Sequence, residues 1–132
     1  MESILNIKKI IDNMIIETET QKDTITVKWK GMIDTDNHYS LLSEFINELH
    51  AACVKDNIKH VISRFNDLKF CNSSGIKEII KWCSMIRESE MDIVILYSTK
   101  HMWQDITFET IKIMIEEVVL KIEDVQSPYP HI

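Results

Sequence analysis

The chain has 132 residues, which is the size of one domain and enough to bury a hydrophobic core. Hydrophobic residues make up 45% and charged residues 27%, close to the globular average, so we expect no extensive disorder. The formal net charge of −6 argues against general binding to nucleic acid or anionic membranes, because phosphates are bound mainly by lysine and arginine.

The sequence contains no recognisable targeting signal and no metal-binding motif. No apolar run approaches the roughly 20 residues that span a bilayer, and the first residues lack the charged and apolar regions of a signal peptide. The three cysteines are widely spaced, with no C-x-x-C pair, so neither a disulfide framework nor a zinc site is predicted. We therefore expect a cytoplasmic protein without a metal or cofactor.

The first half of the chain predicts two strands and a helix. Residues 1–13 form an N-terminal extension whose apolar spacing is compatible with a short amphipathic helix. Residues 14–19 and 24–30 are predicted to pair as antiparallel strands, with Gly31 ending the second. Helix-start residues at 34–37 precede a first long helix, which Asn57 closes, with a buried stripe at Leu42, Phe45, Ile46, Leu49 and Cys53.

The second half alternates strand and helix. A strand at about 59–65 precedes a second helix, and residues 91–97 form a nearly continuous apolar run, typical of a strand buried on both faces. A third helix follows residues 103–107, residues 118–122 are predicted to return as the last strand, and residues 123–132 form a loose tail. This order predicts right-handed crossovers and one sheet with helices packed against it.

The most informative segment is residues 70–76, which we call the serine junction, because it lies where a strand pattern becomes a helical one. It contains one of the two glycines of the chain. Asparagine and serine here are suited to cap the first free N–H groups of a helix. A phosphate on Ser73 or Ser74 would also meet those N–H groups and the positive end of the helix dipole. Capping and phosphorylation are compatible.

Two motifs are distinctive: residues 31–34, with the sequence Gly-Met-Ile-Asp, and residues 68–76, which end in Asn-Ser-Ser-Gly-Ile. The first resembles the Gly-x-Leu-Asp step of the STAS domain, the fold of bacterial anti-sigma-factor antagonists. The second resembles the signature of that domain, which is an apolar residue, Asp or Asn, then Ser-Ser-Gly and Leu or Ile. The likeness covers roughly residues 14–122. It implies an α/β fold with a mixed sheet of about five strands and three to four helices packed against it. With Trp103 and Gln104 before the last helix, the chain looks closest to a STAS-like regulator subgroup.

The resemblance also implies a function. Such proteins are non-enzymatic signalling regulators that bind a protein partner reversibly. The unmodified form binds a serine kinase or an anti-sigma factor, phosphorylation breaks the complex, and a phosphatase restores it. The first serine of the signature is the usual modification site, so the resemblance favours Ser73 over Ser74.

The candidate partner-binding residues surround the serine junction. Asp34 is expected near the same end of the sheet, and the lysines lie one turn apart beside the serines, either as a solvated face or as part of a docking surface. The set is Asp34, Asn72, Ser73, Ser74, Gly75, Lys77 and Lys81. Asn72 stands where relatives more often have Asp, and Arg64 stands where they often have Asp or Asn.

Other functions have weaker support. The serine junction is not a G-x-S-x-G elbow, so a serine hydrolase is not indicated. His50 and Cys53 are too few for a metal site, and the tryptophans do not form a base-stacking platform. The open alternatives are a module that senses a nucleotide or lipid at the same helix N-terminus, and a regulatory subunit of a cyclic-nucleotide or stress signalling assembly. A homodimer also remains open.

Overall fold

The computed structural model describes residues 3–34 and 39–123, which contain one six-stranded sheet and three helices. The strands are β1 (Lys8–Ile11), β2 (Met14–Gln21), β3 (Thr24–Ile33), β4 (His60–Cys71), β5 (Asp92–Tyr97) and β6 (Val119–Ile122). The helices are α1 (Tyr39–Lys55), α2 (Ser73–Glu88) and α3 (Met102–Met114). Most of the helix start predicted at 34–37, and all of the tail after residue 123, lie outside the described residues.

The strands lie side by side in chain order. β1, β2 and β3 pair antiparallel, whereas β3, β4, β5 and β6 pair parallel. Each of the three helices connects two neighbouring parallel strands. α2 and α3 pack against the sheet, and α1 packs against α2 and lines a cavity together with sheet residues. The predicted α/β fold with a mixed sheet is therefore confirmed. None of the helices in the described part of the chain is long and apolar enough to cross a membrane.

Strand β1 corrects the prediction for the N-terminal extension, whose apolar spacing indicated a short amphipathic helix, because Lys8–Ile11 form a strand. It forms a tight hairpin with β2, in which Ile11 pairs with Met14 across the two residues Asp12 and Asn13. Asp12 adopts a positive φ of 52°, which such two-residue turns require. Burial of Ile11 and Met14 on the helix side of the sheet stabilises the strand over a helix.

The prediction that Gly31 ends its strand is wrong, because β3 continues to Ile33. Gly31 has a φ of +85°, and a Cβ on it would lie 2.0 Å from the Asn13 carbonyl oxygen. The pairing with β4 shifts between Gly31 and Met32, and the Met32 N–H donates to the same Asn13 oxygen at 3.0 Å. Gly31 therefore makes a bulge that ties β3 to the β1–β2 turn.

An aromatic cluster joins the sheet to two helices. Trp29 stacks on Phe65 with ring centroids 5.5 Å apart, and the edge of Trp82 meets Trp29 at 5.9 Å. Phe108 contacts Phe65 at 4.8 Å. The indole N–H of Trp29 donates to the buried Ser63 hydroxyl at 2.9 Å, so the one polar atom of this ring is satisfied.

Gln104 holds α3 to an irregular part of β4. Its side chain is fully buried, and its Oε1 accepts from the Ser98 N–H at 2.9 Å. Its Nε2 donates to the carbonyl oxygens of Phe65 and Leu68 at 2.6 and 2.7 Å. Gln104 is inside α3, which begins at Met102, earlier than the sequence predicted.

We predict that Gln104→Leu lowers the free energy of unfolding by about 3 kcal/mol, because three buried backbone groups lose their partner. Urea denaturation measures the change. The control is Gln21→Leu at the exposed end of β2, which should stay within about 0.5 kcal/mol of the wild type. A Gln104→Leu protein as stable as this control would contradict the role of Gln104.

The pKa values of His50 and His60 are shifted in opposite directions. Burial lowers the pKa of His50, whose Nε2 lies 2.9 Å from the Ser89 hydroxyl and whose Nδ1 is buried without a hydrogen-bond partner in the described part of the chain. The hydrogen bond to the Asp92 carboxylate raises the pKa of His60, with a smaller contribution from Asp23. His50 therefore favours the folded state when neutral, and His60 favours it when protonated.

We predict that His50→Gln and His60→Gln change the pH dependence of stability in opposite senses between about pH 8 and about pH 5. The contribution of His50 is present above its unfolded pKa and is lost as the pH falls, so His50→Gln should make unfolding less sensitive to acid. The contribution of His60 is present at low pH and is lost as the pH rises through its raised pKa, so His60→Gln should make unfolding more sensitive to acid. Urea midpoints across this range test both signs.

Candidate functional site

The serine junction is formed where β4 passes directly into α2. Asn72 is the N-cap residue, with extended backbone angles of φ −75° and ψ 173°. Its side-chain Oδ1 accepts from the Gly75 N–H at 2.9 Å. Ser73 and Ser74 are the first two residues of the helix. The cap is thus supplied by Asn72 and leaves the serine hydroxyls out of the capping bond.

The two serines differ in exposure. Ser73 is exposed, whereas Ser74 is half-buried. Within residues 3–34 and 39–123, neither hydroxyl takes part in a hydrogen bond. Ser73 is therefore the serine that a modifying enzyme would reach more easily.

Gly75 brings the first turn of α2 against the ends of two strands. A Cβ at this position would lie 2.6 Å from the Cys71 Sγ and 2.7 Å from the Ile33 Cγ2. The Asn72 N–H donates to the Ile33 carbonyl oxygen at 2.7 Å, which extends the pairing of β3 and β4 to the start of the helix. The serines are thus held on rigid backbone.

Four of the seven predicted site residues surround one small cavity. Asp34, Asn72, Ser74 and Gly75 line it, together with Ile11, Asp12, Asn13, Met14, Met32, Ile33 and Leu42. Its volume is about 20 Å³, enough for roughly one water molecule. Ligand pockets usually measure about 300 to 1,000 Å³.

The remaining predicted residues lie on the surface of α2. Ser73, Lys77 and Lys81 are all exposed, and none of them lines the cavity. The spacing of four residues from Ser73 to Lys77, and from Lys77 to Lys81, places them along one side of the helix. The structure thus separates the four residues that line the cavity from an exposed row on α2 that begins at Ser73.

Comparison with known proteins identifies the fold. No protein-family model matches the sequence, and no curated protein matches it. Among solved structures, an anti-sigma factor antagonist from Mycobacterium paratuberculosis is similar with a TM-score of 0.61 and 15% sequence identity, over 82% of this chain and 86% of that chain. The chain has the fold of the anti-sigma factor antagonists.

A second solved structure, the anti-sigma factor antagonist SpoIIAA in its unphosphorylated form, has a TM-score of 0.49 and 17% identity, over 61% of this chain and 71% of that chain. The similarity to the Mycobacterium paratuberculosis structure confirms the predicted STAS-like fold, and at 15% identity that similarity concerns the fold alone.

Sequence reasoning missed an apolar pair beside the serine junction of this STAS-like fold. Met32 and Phe70 are partners across β3 and β4, and their side chains are 36% and 46% exposed. Each lies within three residues of Asp34 or Ser73. Both were part of the quoted motifs, but only the strand register and the bulge at Gly31 place them side by side. The signal that the sequence offers is an apolar residue inside each motif, two residues before Asp34 and three residues before Ser73.

The cap gives a direct test at Asn72. Asn72→Ala removes the acceptor and should lower the free energy of unfolding by about 1 kcal/mol. Asn72→Asp keeps an acceptor and adds a negative charge at the positive end of the helix dipole, so its stability should stay within about 0.5 kcal/mol of the wild type or rise. Urea denaturation of both variants measures the difference. Equal losses in the two variants would show that the capping bond does not stabilise α2.

Proposed function

We propose that the chain is a non-enzymatic bacterial signalling regulator of the anti-sigma-factor antagonist type. It binds a protein partner reversibly through the serine junction, and phosphorylation of Ser73 breaks the complex. The partner is a serine kinase or an anti-sigma factor, and a phosphatase acts on the modified form. The domain responsible spans residues 14–122, works in the cytoplasm and needs no cofactor. The shared fold supports this proposal.

One observation carries the proposal. An exposed serine without a hydrogen-bond partner in the described part of the chain stands at the start of α2, three residues after an exposed aromatic side chain. Phe70 and its partner Met32 supply apolar contact area, and aromatic residues and methionine are enriched at protein interfaces. The small volume of the adjacent cavity supports a protein partner over a nucleotide or lipid.

Phosphorylation would change the character of this surface. A phosphate adds roughly −1.5 to −2 charges and several hydrogen-bond acceptors. A partner packed on Met32, Phe70 and the neutral serine would then have to desolvate that charge, or would be excluded by it. Asp34 at the same end of the sheet adds like charge. Lys77, four residues after Ser73 on the same helix, is placed to pair with the phosphate and hold it in position.

The position of Asn72 is consistent with such a switch. Its side chain already satisfies the Gly75 N–H, so the free N–H groups of the first turn that remain are those of the two serines. A phosphate on Ser73 would therefore meet donors that no described side chain occupies. The change would be electrostatic and steric, and it needs no backbone movement.

The modification has a mass-spectrometric test. Incubation of the purified chain with ATP and a soluble extract of its source cells should add one phosphate, located on Ser73 by fragmentation. Ser73→Ala should abolish the addition, whereas Ser74→Ala, which leaves the exposed hydroxyl in place, should retain it. A phosphate mapped to another residue would remove Ser73 from the proposal.

The effect on binding has a separate test. Once the kinase or anti-sigma factor is in hand, Ser73→Asp should weaken its binding at least about tenfold in calorimetric titration, because a charge enters an apolar contact. Ser84→Asp, about three turns further along α2, is the matched control and should bind like the wild type. Equal affinity of all three proteins would exclude a switch at Ser73.

A further inference from the structure

The free edge of β1 ends the sheet on the side away from β6. β1 pairs with β2, and no strand of the described chain pairs with its other side. The Thr18 N–H donates to the Ile7 carbonyl oxygen at 2.8 Å, and the backbone groups of antiparallel strands alternate in direction. Ile7, Lys9 and Ile11 therefore face β2, so the N–H and C=O groups of Lys8 and Ile10 point outwards.

A groove runs beside this edge, between β1 and α1, with a volume of about 350 Å³. Four residues of α1 line it because they recur at helical spacing on one side of the helix. Phe45 is buried and Leu41 is 46% exposed, so the groove has an apolar base. Glu44 and Glu48 are exposed and give it a negatively charged wall.

Neither glutamate forms an ion pair within residues 3–34 and 39–123. Lys9 contributes one cation to the groove from β1. On the opposite face of the same edge, Ile10 is 63% exposed next to its partner Ile15. The edge thus presents carboxylates on the helix side and an aliphatic side chain on the open side.

We propose that this edge binds an extended segment of a partner protein in which lysine or arginine alternates with apolar residues. The segment adds to the sheet as a strand next to β1 and pairs with the outward backbone groups of Lys8 and Ile10. Successive side chains of a strand point to opposite faces. The cationic residues then face Glu44 and Glu48, and the apolar residues pack beside Ile10.

A second copy of the chain fits this edge less well. Two copies related by a twofold axis would bring the Glu44 and Glu48 carboxylates of both α1 helices towards the same groove. If the two β1 strands pair along their full length, Lys9 of one copy lies opposite Lys9 of the other copy, and like charges directly opposite each other are destabilising. The charge of the groove therefore favours a cationic partner segment.

This surface goes beyond the proposed switch. It contains neither serine, and it touches the cavity of the serine junction only through Ile11 and Asp12, which line both. Binding at the β1 edge is independent of phosphorylation at Ser73. A regulator with both surfaces can hold one partner at the sheet edge while it binds or releases another at the serine junction.

The test uses the full chain labelled with ¹⁵N and a short synthetic peptide in which lysine and valine alternate. In the free protein, amide hydrogen exchange should be fast at Lys8 and Ile10 and slow at Lys9 and Ile11. The peptide should slow exchange at Lys8 and Ile10. A control peptide with glutamate in place of lysine should not do so. Lack of binding by the lysine peptide would overturn the proposal.

Variants test separately the recognition of charge by α1 and the backbone pairing at the β1 edge. The double variant Glu44→Lys, Glu48→Lys should weaken peptide binding at least about tenfold, measured by fluorescence anisotropy. Ile10→Pro removes an outward N–H but no bond to β2, so it should abolish binding while the hairpin stays intact. Exposed substitutions on α1 leave the fold undisturbed, so the charge reversal remains informative if Ile10→Pro unfolds. Unchanged affinity in the double variant would overturn the proposal.

Two controls define the other outcomes. Ser73→Asp should bind the peptide like the wild type, so the failure of the switch and the failure of the edge site are distinguishable. Sedimentation of the free protein should show a monomer. A dimer in which Lys8 and Ile10 are already protected from exchange would identify the edge as an interface between copies and overturn the partner segment.

Discussion

The close contact of Gly75 with the ends of β3 and β4 determines how the working end of this molecule is arranged. With the Cys71 Sγ and the Ile33 side chain less than 3 Å from the position of a Cβ, only glycine allows the helix to start so near the sheet. No loop separates the end of β4 from the cap residue Asn72. Ser73 is consequently presented by a rigid strand and a rigid helix, so a chemical change on its hydroxyl acts directly on whatever contacts this surface.

The bulge at Gly31 positions the end of β3 next to the start of α2. By binding the β1–β2 turn, it lets β3 run on to Ile33, where its carbonyl oxygen meets the Asn72 N–H. It also sets the register in which Met32 pairs with Phe70. Both glycines of the chain thus serve one end of the sheet, and the apolar pair beside Ser73 depends on the local distortion at the first of them.

The serine junction and the β1 groove are neighbouring surfaces that differ in charge. The serine junction is uncharged and flanked by apolar side chains, so the entry of a charge changes it strongly. The β1 groove carries carboxylates on α1 beside the edge strand. In our proposal it selects a partner by charge and by extended conformation. The serine junction and the β1 groove share only Ile11 and Asp12 as lining residues, so the two surfaces are largely separate. Their different chemistry would let a protein of net negative charge discriminate between two partners.

Much of this structure could be predicted from the sequence, because the hydrophobic periods are strong. The alternation at residues 24–30, the apolar run at 91–97 and the helical spacing after Gly75 predict elements that the structure contains. Asn57, with a φ of 57°, indeed follows the end of α1. Strand β1 was not predicted, since the spacing of the apolar residues near the N-terminus fits a short amphipathic helix. Pairing with β2 makes this segment a strand instead.

The sequence by itself determined the order of the elements, the place where a serine pair starts a helix, and the residue that can cap it, because these depend on local propensity and spacing. Only the tertiary structure decided which serine is exposed, that Met32 lies beside Phe70, that Gln104 is buried among three backbone groups, and that the edge of β1 faces two glutamates of α1. These features arise from contacts between residues far apart in the chain. Their geometry depends on strand register and helix packing, which no local pattern specifies.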